Sequence, residues 1–559
     1  MGKWRGVPFP PECTLLRNPI RVVRHRAGLH GMNSLAGRCM LLWGWRRALA
    51  AFIAGGAASF ALPPYDFFAV CFLSFPVLVW LLDGAAGDGG RTLAGRLWPA
   101  FATGWWFGFG YFAGGLWWVG NAMLVDIRAY AWALPIAVLA LPAGMAVFYG
   151  LAAALARLLW SDGIGRIAAL AAAFALLEWL RSFVLTGFPW NAIGYAAMPV
   201  PVLMQSVTAV GMMGMNALAV LVFALPAMLA AGPGARRAAV ALWIALVALH
   251  YGYGHLRLAP VAADGRVLDV RLVQPSIDQS RKWDRALRDE IFRTYLDMSA
   301  RPPEEGARKP RLILWPETSV PFIFNDRPDA LVALGELIDD DQVLMAGAVR
   351  REGESANDPD VRYYNSLVAI NSSGEQYDAT DKVHLVPLGE FVPFESWLAR
   401  IGITKLVELP GGFSAGSARK PMRVAEGVSA VGYICYEVIF PGLPRAEAAD
   451  ADLILNVTND GWFGDSPGPY QHFRQAQVRA VEAGRPLVRA ANNGVSGVLD
   501  SYGRVVDALE LDGVGVLDAA VPLDRATPIV PERPGLAGWI VAGLLAALAL
   551  AARLRRQPL

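Results

Sequence analysis

Histidine, cysteine and charge are scarce in this 559-residue sequence: six His, four Cys, and 18 % charged residues. Cys13, Cys39, Cys71 and Cys435 lie far apart, and no two have the spacing of a metal-ligand pair. His384 and His472 are the only histidines deep in the polar part of the chain, and their spacing to acids or to Cys435 suits no metal site. No metal and no cofactor are therefore expected. There is no His-Glu-x-x-His pair, no phosphate-binding glycine loop and no Ser/His/Asp arrangement. A net charge of +2 gives no general reason to expect a nucleic-acid partner.

Apolar residues, by contrast, are abundant. They make up 55 % of the chain, and the mean hydropathy is +0.37, too high for an ordinary soluble protein. They are also unevenly spread. Residues 41–255 and 534–553 are dominated by Ala, Leu, Val, Phe, Trp and Gly, whereas 256–533 carries charges throughout and is long enough for one sizeable core. A bilayer core needs about 20 apolar residues per helix. Seven stretches qualify before the polar part, at 48–62, 66–83, 98–120, 130–157, 166–182, 206–230 and 237–254, and an eighth lies at 535–552. The chain thus divides into a basic, disordered tail 1–40, a transmembrane bundle 41–255, a globular domain 256–533, a last transmembrane helix 534–553 and a short tail 554–559.

Lys and Arg in short loops set orientation. Arg91 and Arg96, Arg157 and Arg166, Arg236 and Arg237, Arg553 with Arg555 and Arg556, and the basic N-terminal tail all fall on one face if eight helices cross. The opposite loops carry little charge. Both termini are then cytoplasmic and residues 256–533 lie outside. The tail has no apolar stretch of its own, which argues against a cleavable signal peptide. The aromatic, glycine-rich runs Gly104–Phe112 and Leu116–Gly120 suit lipid–water interfaces and close helix packing. The outer loop from Glu178 to Asn191 holds Glu178, Arg181 and Trp190; the acid and base read equally as a functional pair or as a structural ion pair.

Within 256–533, apolar β-rich runs alternate with amphipathic runs. Strands are expected at Leu268–Val273, Leu312–Trp315, Val343–Val349, Ser366–Asn371, Ala430–Cys435, Leu453–Val457, Leu487–Ala491 and Gly497–Asp500, and helices at Asp284–Ala300, Pro328–Ile338 and Tyr470–Ala483. That pattern is α/β. Arg350–Val361 and Phe391–Ser417 read as long loops, the second as an apolar lid.

Three strand ends carry reactive residues. Leu312–Trp315 runs through Pro316 into Glu317, where partial burial suits a general base. Lys382 follows a polar turn, with Glu390 eight residues on. Cys435 ends the run that begins at Val428. Each alone has a bland reading: a loop or cap Glu, a surface Lys, a turn Glu, a buried apolar Cys. An unpaired thiol on the oxidising side of a membrane, however, needs a reason to be there. Together, a carboxylate can take the thiol proton while a fixed ammonium lowers the cost of thiolate and oxyanion.

The stretches Trp315–Thr318, Lys382–Pro393 and Cys435–Glu437 resemble the carbon–nitrogen hydrolase (nitrilase) superfamily. With Asn456–Gly464, Gln471–Arg474 and the multi-pass N-terminal part, residues 40–555 are similar to its apolipoprotein N-acyltransferase branch; the basic N-terminus is not covered. The resemblance implies an extracytoplasmic αββα sandwich with a Glu317, Lys382 and Cys435 triad. It also implies a supporting Glu390, importance for Tyr436 and Glu437, and a substrate-side Trp283; Trp190 joins these as a supporting residue. It further implies a monomeric enzyme of the bacterial inner membrane, with its catalytic domain periplasmic. That enzyme carries an acyl chain from a phospholipid donor, through a Cys435 thioester, to the N-terminal amine of a diacylglyceryl apolipoprotein. Two alternatives stand beside it: a membrane-bound nitrilase-type amidase or hydrolase with the same triad, and a transporter or receptor whose outer domain binds ligand.

Overall fold

The computed structural model describes residues 34–85, 92–125, 127–259, 265–303, 306, 308–353, 360–391, 400, 412–526 and 535–555. Helices stand at all eight apolar stretches. After a short helix α1 (Leu35–Met40) they are, in chain order, α2 (Gly44–Ala58), α3 (Cys71–Asp83), α4 (Leu93–Leu116), α5 (Leu134–Leu158), α6 (Ile164–Arg181), α7 (Val207–Ala224), α8 (Pro233–Arg257) and the last helix Leu536–Leu554. Among the described residues, four helical stretches are long and apolar enough to cross a membrane: Ala131–Leu158, Val207–Ala230, Pro233–Arg257 and Leu536–Leu554. α1 lies at the end of the segment 1–40, expected to be a disordered tail. Ser34 caps it at Gly37 N (3.2 Å), and Arg47 ties the following turn to the Gly84 carbonyl at 2.7 Å. Residues 1–33 lie outside the described residues.

Small residues let the bundle close. α4 runs between α2 and α5, and a methyl group at Gly110 would collide with the Phe52 carbonyl of α2. Large apolar side chains such as Leu73, Trp98, Ile244, Leu249 and Leu544 point outward.

The polar part folds as two six-stranded sheets. Its strands are β1 (Val267–Gln274), β2 (Leu312–Trp315), β3 (Val343–Glu352), β4 (Arg362–Ile370), β5 (Gln376–Asp381), β6 (Met422–Ala425), β7 (Val428–Ile434), β8 (Leu453–Thr458), β9 (Leu487–Ala491), β10 (Ser496–Leu499), β11 (Val505–Leu509) and β12 (Gly515–Pro522). The orders are β12-β1-β2-β3-β4-β5 and β11-β10-β9-β8-β7-β6. β1, β2 and β3 run parallel, as do β7, β8 and β9; the outer pairs are antiparallel.

Side chains alternate across each strand and so define four layers. Leu312 and Leu314 of β2 join Ala430 and Ile434 of β7 in the core between the sheets. Ile313 and Trp315 turn the other way, under α9 (Arg288–Ser299) and α10 (Pro328–Leu337). Val431 and Tyr433 face α11 (Pro467–Ala483), in a core that continues without a break into the membrane bundle. The helix over the second sheet is therefore also the seat of the domain on the bundle.

Two segments differ from the expectation. Arg350–Glu352 continue β3, pairing with Arg362–Tyr364, because the antiparallel partner supplies a hydrogen-bonded edge. The strand Val428–Ile434 stops one residue before Cys435, which opens a 3₁₀ turn. Most of the expected lid, 392–399 and 401–411, lies outside the described residues.

Candidate active site

Cys435 has φ 51°, the left-handed region that a non-glycine residue occupies at a cost of ~1–3 kcal/mol. That bend turns the side chain out of β7 instead of letting the strand run on. The thiol is buried, yet close enough to Glu317, Lys382 and Asp460 to feel their charges. Burial and then the Glu317 charge push its pKa up, and Lys382 opposes them. At rest the group is a thiol.

Glu317 follows the end of β2. The turn Pro316–Thr318 lies flat against β3, where Gly347 leaves room: a methyl there would collide with the Pro316 carbonyl. Ser319 N donates to the Gly347 carbonyl at 2.7 Å and fixes the approach. The Glu317 carboxylate accepts from Lys382 Nζ (3.1 Å), Asn365 Nδ2 (2.7 Å) and Asn459 N (3.0 Å). Burial raises its pKa, but Lys382, the Asn365 amide and Lys282 outweigh burial and hold it below the ordinary Glu value, so it is a carboxylate.

Lys382 comes directly after β5. Its ammonium bridges Glu317 and Glu390 Oε1 (2.9 Å); burial would lower its pKa, but the two carboxylates raise it instead. Glu390 is held by Val386 N (2.8 Å) and by Asn365 Nδ2 (2.9 Å). The structure thus brings Glu317, Lys382, Glu390 and Cys435 to neighbouring strand ends.

The remaining expected residues sit around this group. Glu437 is a brace rather than an open acid. It accepts from Val383 N (2.6 Å), His384 N (2.9 Å) and Ile434 N (2.8 Å), and pairs with buried Arg419. Tyr436 donates its hydroxyl to the Gly187 carbonyl (2.6 Å), linking the turn after Cys435 to the bundle. Trp190 is buried at that same seam, donating to Gln471 Oε1 at 3.0 Å. Trp283 is 40 % exposed, and the site is instead entered by its neighbour Lys282, which donates to the Glu317 carbonyl (3.1 Å) and Thr318 Oγ1 (3.0 Å). Glu178 and Arg181 form a buried ion pair whose guanidinium also holds the Phe188 (2.5 Å) and Trp190 (2.9 Å) carbonyls, which favours the structural reading.

Sequence reasoning missed Asn365, Lys282 and the cluster Asp460, His472 and Arg489. Asn365 lies mid-strand in an apolar run, where a lone amide was the only signal. Among the described residues no group of three or more His, Cys, Asp and Glu is arranged to hold a metal ion.

A buried thiol, a carboxylate and an ammonium meet at neighbouring strand ends of a four-layer sandwich, the fold of a carbon–nitrogen hydrolase domain. The carbon–nitrogen hydrolase family matches residues 269–529, and the apolipoprotein N-acyltransferase N-terminal domain matches residues 54–225. The apolipoprotein N-acyltransferase of Brucella suis biovar 1 is 54 % identical over 523 residues, 93 % of this chain and 97 % of that one. That of Rhizobium etli is 54 % identical over 497 residues, 88 % and 92 % of the two chains. Among solved structures, a carbon–nitrogen hydrolase from Helicobacter pylori G27 is 16 % identical, with a TM-score of 0.35 over 47 % of this chain and 91 % of that one, too thin a likeness to carry any argument. The chain belongs to the apolipoprotein N-acyltransferase family.

Proposed function

We propose that this protein transfers a fatty acyl chain from a membrane phospholipid to the N-terminal α-amine of the diacylglyceryl-cysteine of apolipoproteins, through a thioester on Cys435. The family and its relatives support the reaction, and the convergence of Cys435, Glu317 and Lys382 carries the chemistry.

In the first half, the Glu317 carboxylate takes the Cys435 proton as sulfur attacks the donor's ester carbon. A thiol pushed up and a carboxylate held down make that transfer uphill on its own. It therefore runs together with attack, as the developing oxyanion meets the Lys382 ammonium. The carbon–oxygen bond to glycerol breaks, the proton from Glu317 goes to the leaving alkoxide, and lysophospholipid departs. In the second half, the acceptor amine attacks the thioester, the carbon–sulfur bond breaks, and Glu317 carries a proton from nitrogen back to sulfur. The balance needs no cofactor and no metal.

The basic loops support eight spans, both termini in the cytoplasm and residues 256–533 on the periplasmic side of the inner membrane, with the bundle at 41–255 and the last span at 534–553. Both substrates are lipid-anchored, so the protein works as a monomer with its site at the lipid surface and with no nucleic-acid partner. Exclusion of water there favours the amine over hydrolysis.

Mass spectrometry of protein purified from membranes tests the reading. The expected result is a fatty-acyl adduct on Cys435 that hydroxylamine removes and that a diacylglyceryl lipopeptide discharges. Release of free fatty acid alone makes the protein a hydrolase. An unmodified Cys435 together with an active Cys435→Ser variant overturns the thioester.

A further inference from the structure

His472 lies on α11, one residue after Gln471. Its Nε2 meets the backbone carbonyl of Cys435 at 3.1 Å, and its Nδ1 lies 2.8 Å from Asp460 Oδ1. Asp460 is fixed in turn by Arg489 at 2.8 Å and Thr458 Oγ1 at 3.0 Å; Arg489 also lies 3.1 Å from His472 Nδ1. All four side chains are buried. A carbonyl only accepts hydrogen bonds, so Nε2 carries a hydrogen whatever the ring's charge. Asp460 Oδ1 accepts as well, so in this geometry both ring nitrogens carry a hydrogen; burial and Arg489 push the His472 pKa down against that charge, and Asp460 pushes it up.

We infer that His472, held by Asp460 and Arg489, is a positioning residue that grips the carbonyl of Cys435 and keeps the nucleophile in its left-handed bend. The bend is the only non-glycine left-handed residue in the segment from β7 to β8. The backbone must be over-determined from outside to stay there. The Glu437 brace at Ile434 N secures the residue before the thiol, and His472 secures the thiol's own carbonyl. Gln471, the neighbouring residue, accepts from Trp118 (3.1 Å), Trp190 (3.0 Å) and Asn191 (3.1 Å) of the bundle. One turn of α11 therefore joins the membrane seat to the nucleophile.

The inference rests on Cys435 being the acylated residue. Single-turnover formation of the acyl-thioester, from a labelled phosphatidylethanolamine in detergent micelles, separates the two. Gln at 472 still reaches the Cys435 carbonyl with an amide N–H, whereas the shorter Asn reaches only toward Asp460. Expected are loading within threefold of wild type for His472→Gln, and at least a tenfold lower rate at unchanged KM for His472→Asn. Equal rates in the two variants, whether both fast or both slow, overturn the inference. If the Asn variant does not reach the membrane, the Gln variant decides alone, and a loss beyond threefold overturns it. Wild type that forms no thioester overturns the Cys435 reading instead.

Discussion

The carboxylate of Glu437 accepts the backbone N–H of Val383 at 2.6 Å, joining the turn after Cys435 to the turn after Lys382. The same group holds Ile434 N (2.8 Å) and balances buried Arg419. Cys435 and Lys382 are thus kept in register by a residue two positions beyond the thiol. Glu437→Gln keeps the shape but removes the charge, leaving Arg419 to Glu447 alone (3.0 Å). Breaking a buried pair costs about 3 kcal/mol or more. The expected outcome is a marked drop in Tm in detergent, followed by tryptophan fluorescence. An unchanged Tm means that Glu437 is not a brace.

Asn365 ties together the two carboxylates that flank Lys382, donating to Glu317 at 2.7 Å and to Glu390 at 2.9 Å. Hydrogen bonds to charged groups contribute about 1.5–3 kcal/mol each. Asn365→Leu removes a donor that favours the charged form of Glu317, so the pKa of that acid rises. For wild type, the acid limb of kcat/KM is expected below the ordinary Glu value of 4.5, because Glu317 is held under it. In Asn365→Leu the limb moves to higher pH. A variant with the wild-type profile would show that the amide does not tune the base.

Lys282 is buried against the Glu317 turn, and burial pushes its pKa down to about 8 from 10.5. Between those values the unfolded chain binds more protons than the folded one. Stability therefore rises with pH across that window, by up to about 1.4 kcal/mol per pH unit. In Lys282→Met that contribution is gone. The check is Tm from pH 7.5 to 10 for both proteins: the advantage of wild type over the variant grows with pH. A difference that is flat or shrinks rejects the buried cation.

How much of this was legible in the sequence follows from what each strand buries. The eight strands expected from apolar runs are β1 to β4 and β7 to β10, the interior strands of both sheets. The four not expected from such runs, β5, β6, β11 and β12, are the four edges. Edge strands need be apolar on one face at most, and β5 reads Gln-Tyr-Asp-Ala-Thr-Asp. Glu317 and Cys435 stood out because each ends an apolar run, and Lys382 because it stands between a polar turn and such a run. Asn365 and His472 act through hydrogen bonds across the chain, His472 over 37 residues to Cys435, and no local pattern encodes such pairings. Trp190 stood out as an aromatic in a loop, but its partner Gln471 is 281 residues away.

Gln471 marks where the domain meets the bundle, and its carbonyl oxygen accepts from three bundle donors. Two of them have a second acceptor: Trp118 and Asn191 also reach the Gly115 carbonyl, each at 3.0 Å. Among the described residues, the buried Trp190 indole donates to Gln471 Oε1 alone. Gln471→Leu therefore strands chiefly one buried N–H, a cost of about 1–3 kcal/mol. The expected outcome is a lower Tm together with a red shift of tryptophan emission, as Trp190 recruits water to the seam. The ion pair of Arg474 with Asp66 at 3.0 Å, one turn along, still holds the two parts together, so the variant remains assembled in the membrane. Unchanged emission and Tm would show that the seam is held by its apolar contacts alone.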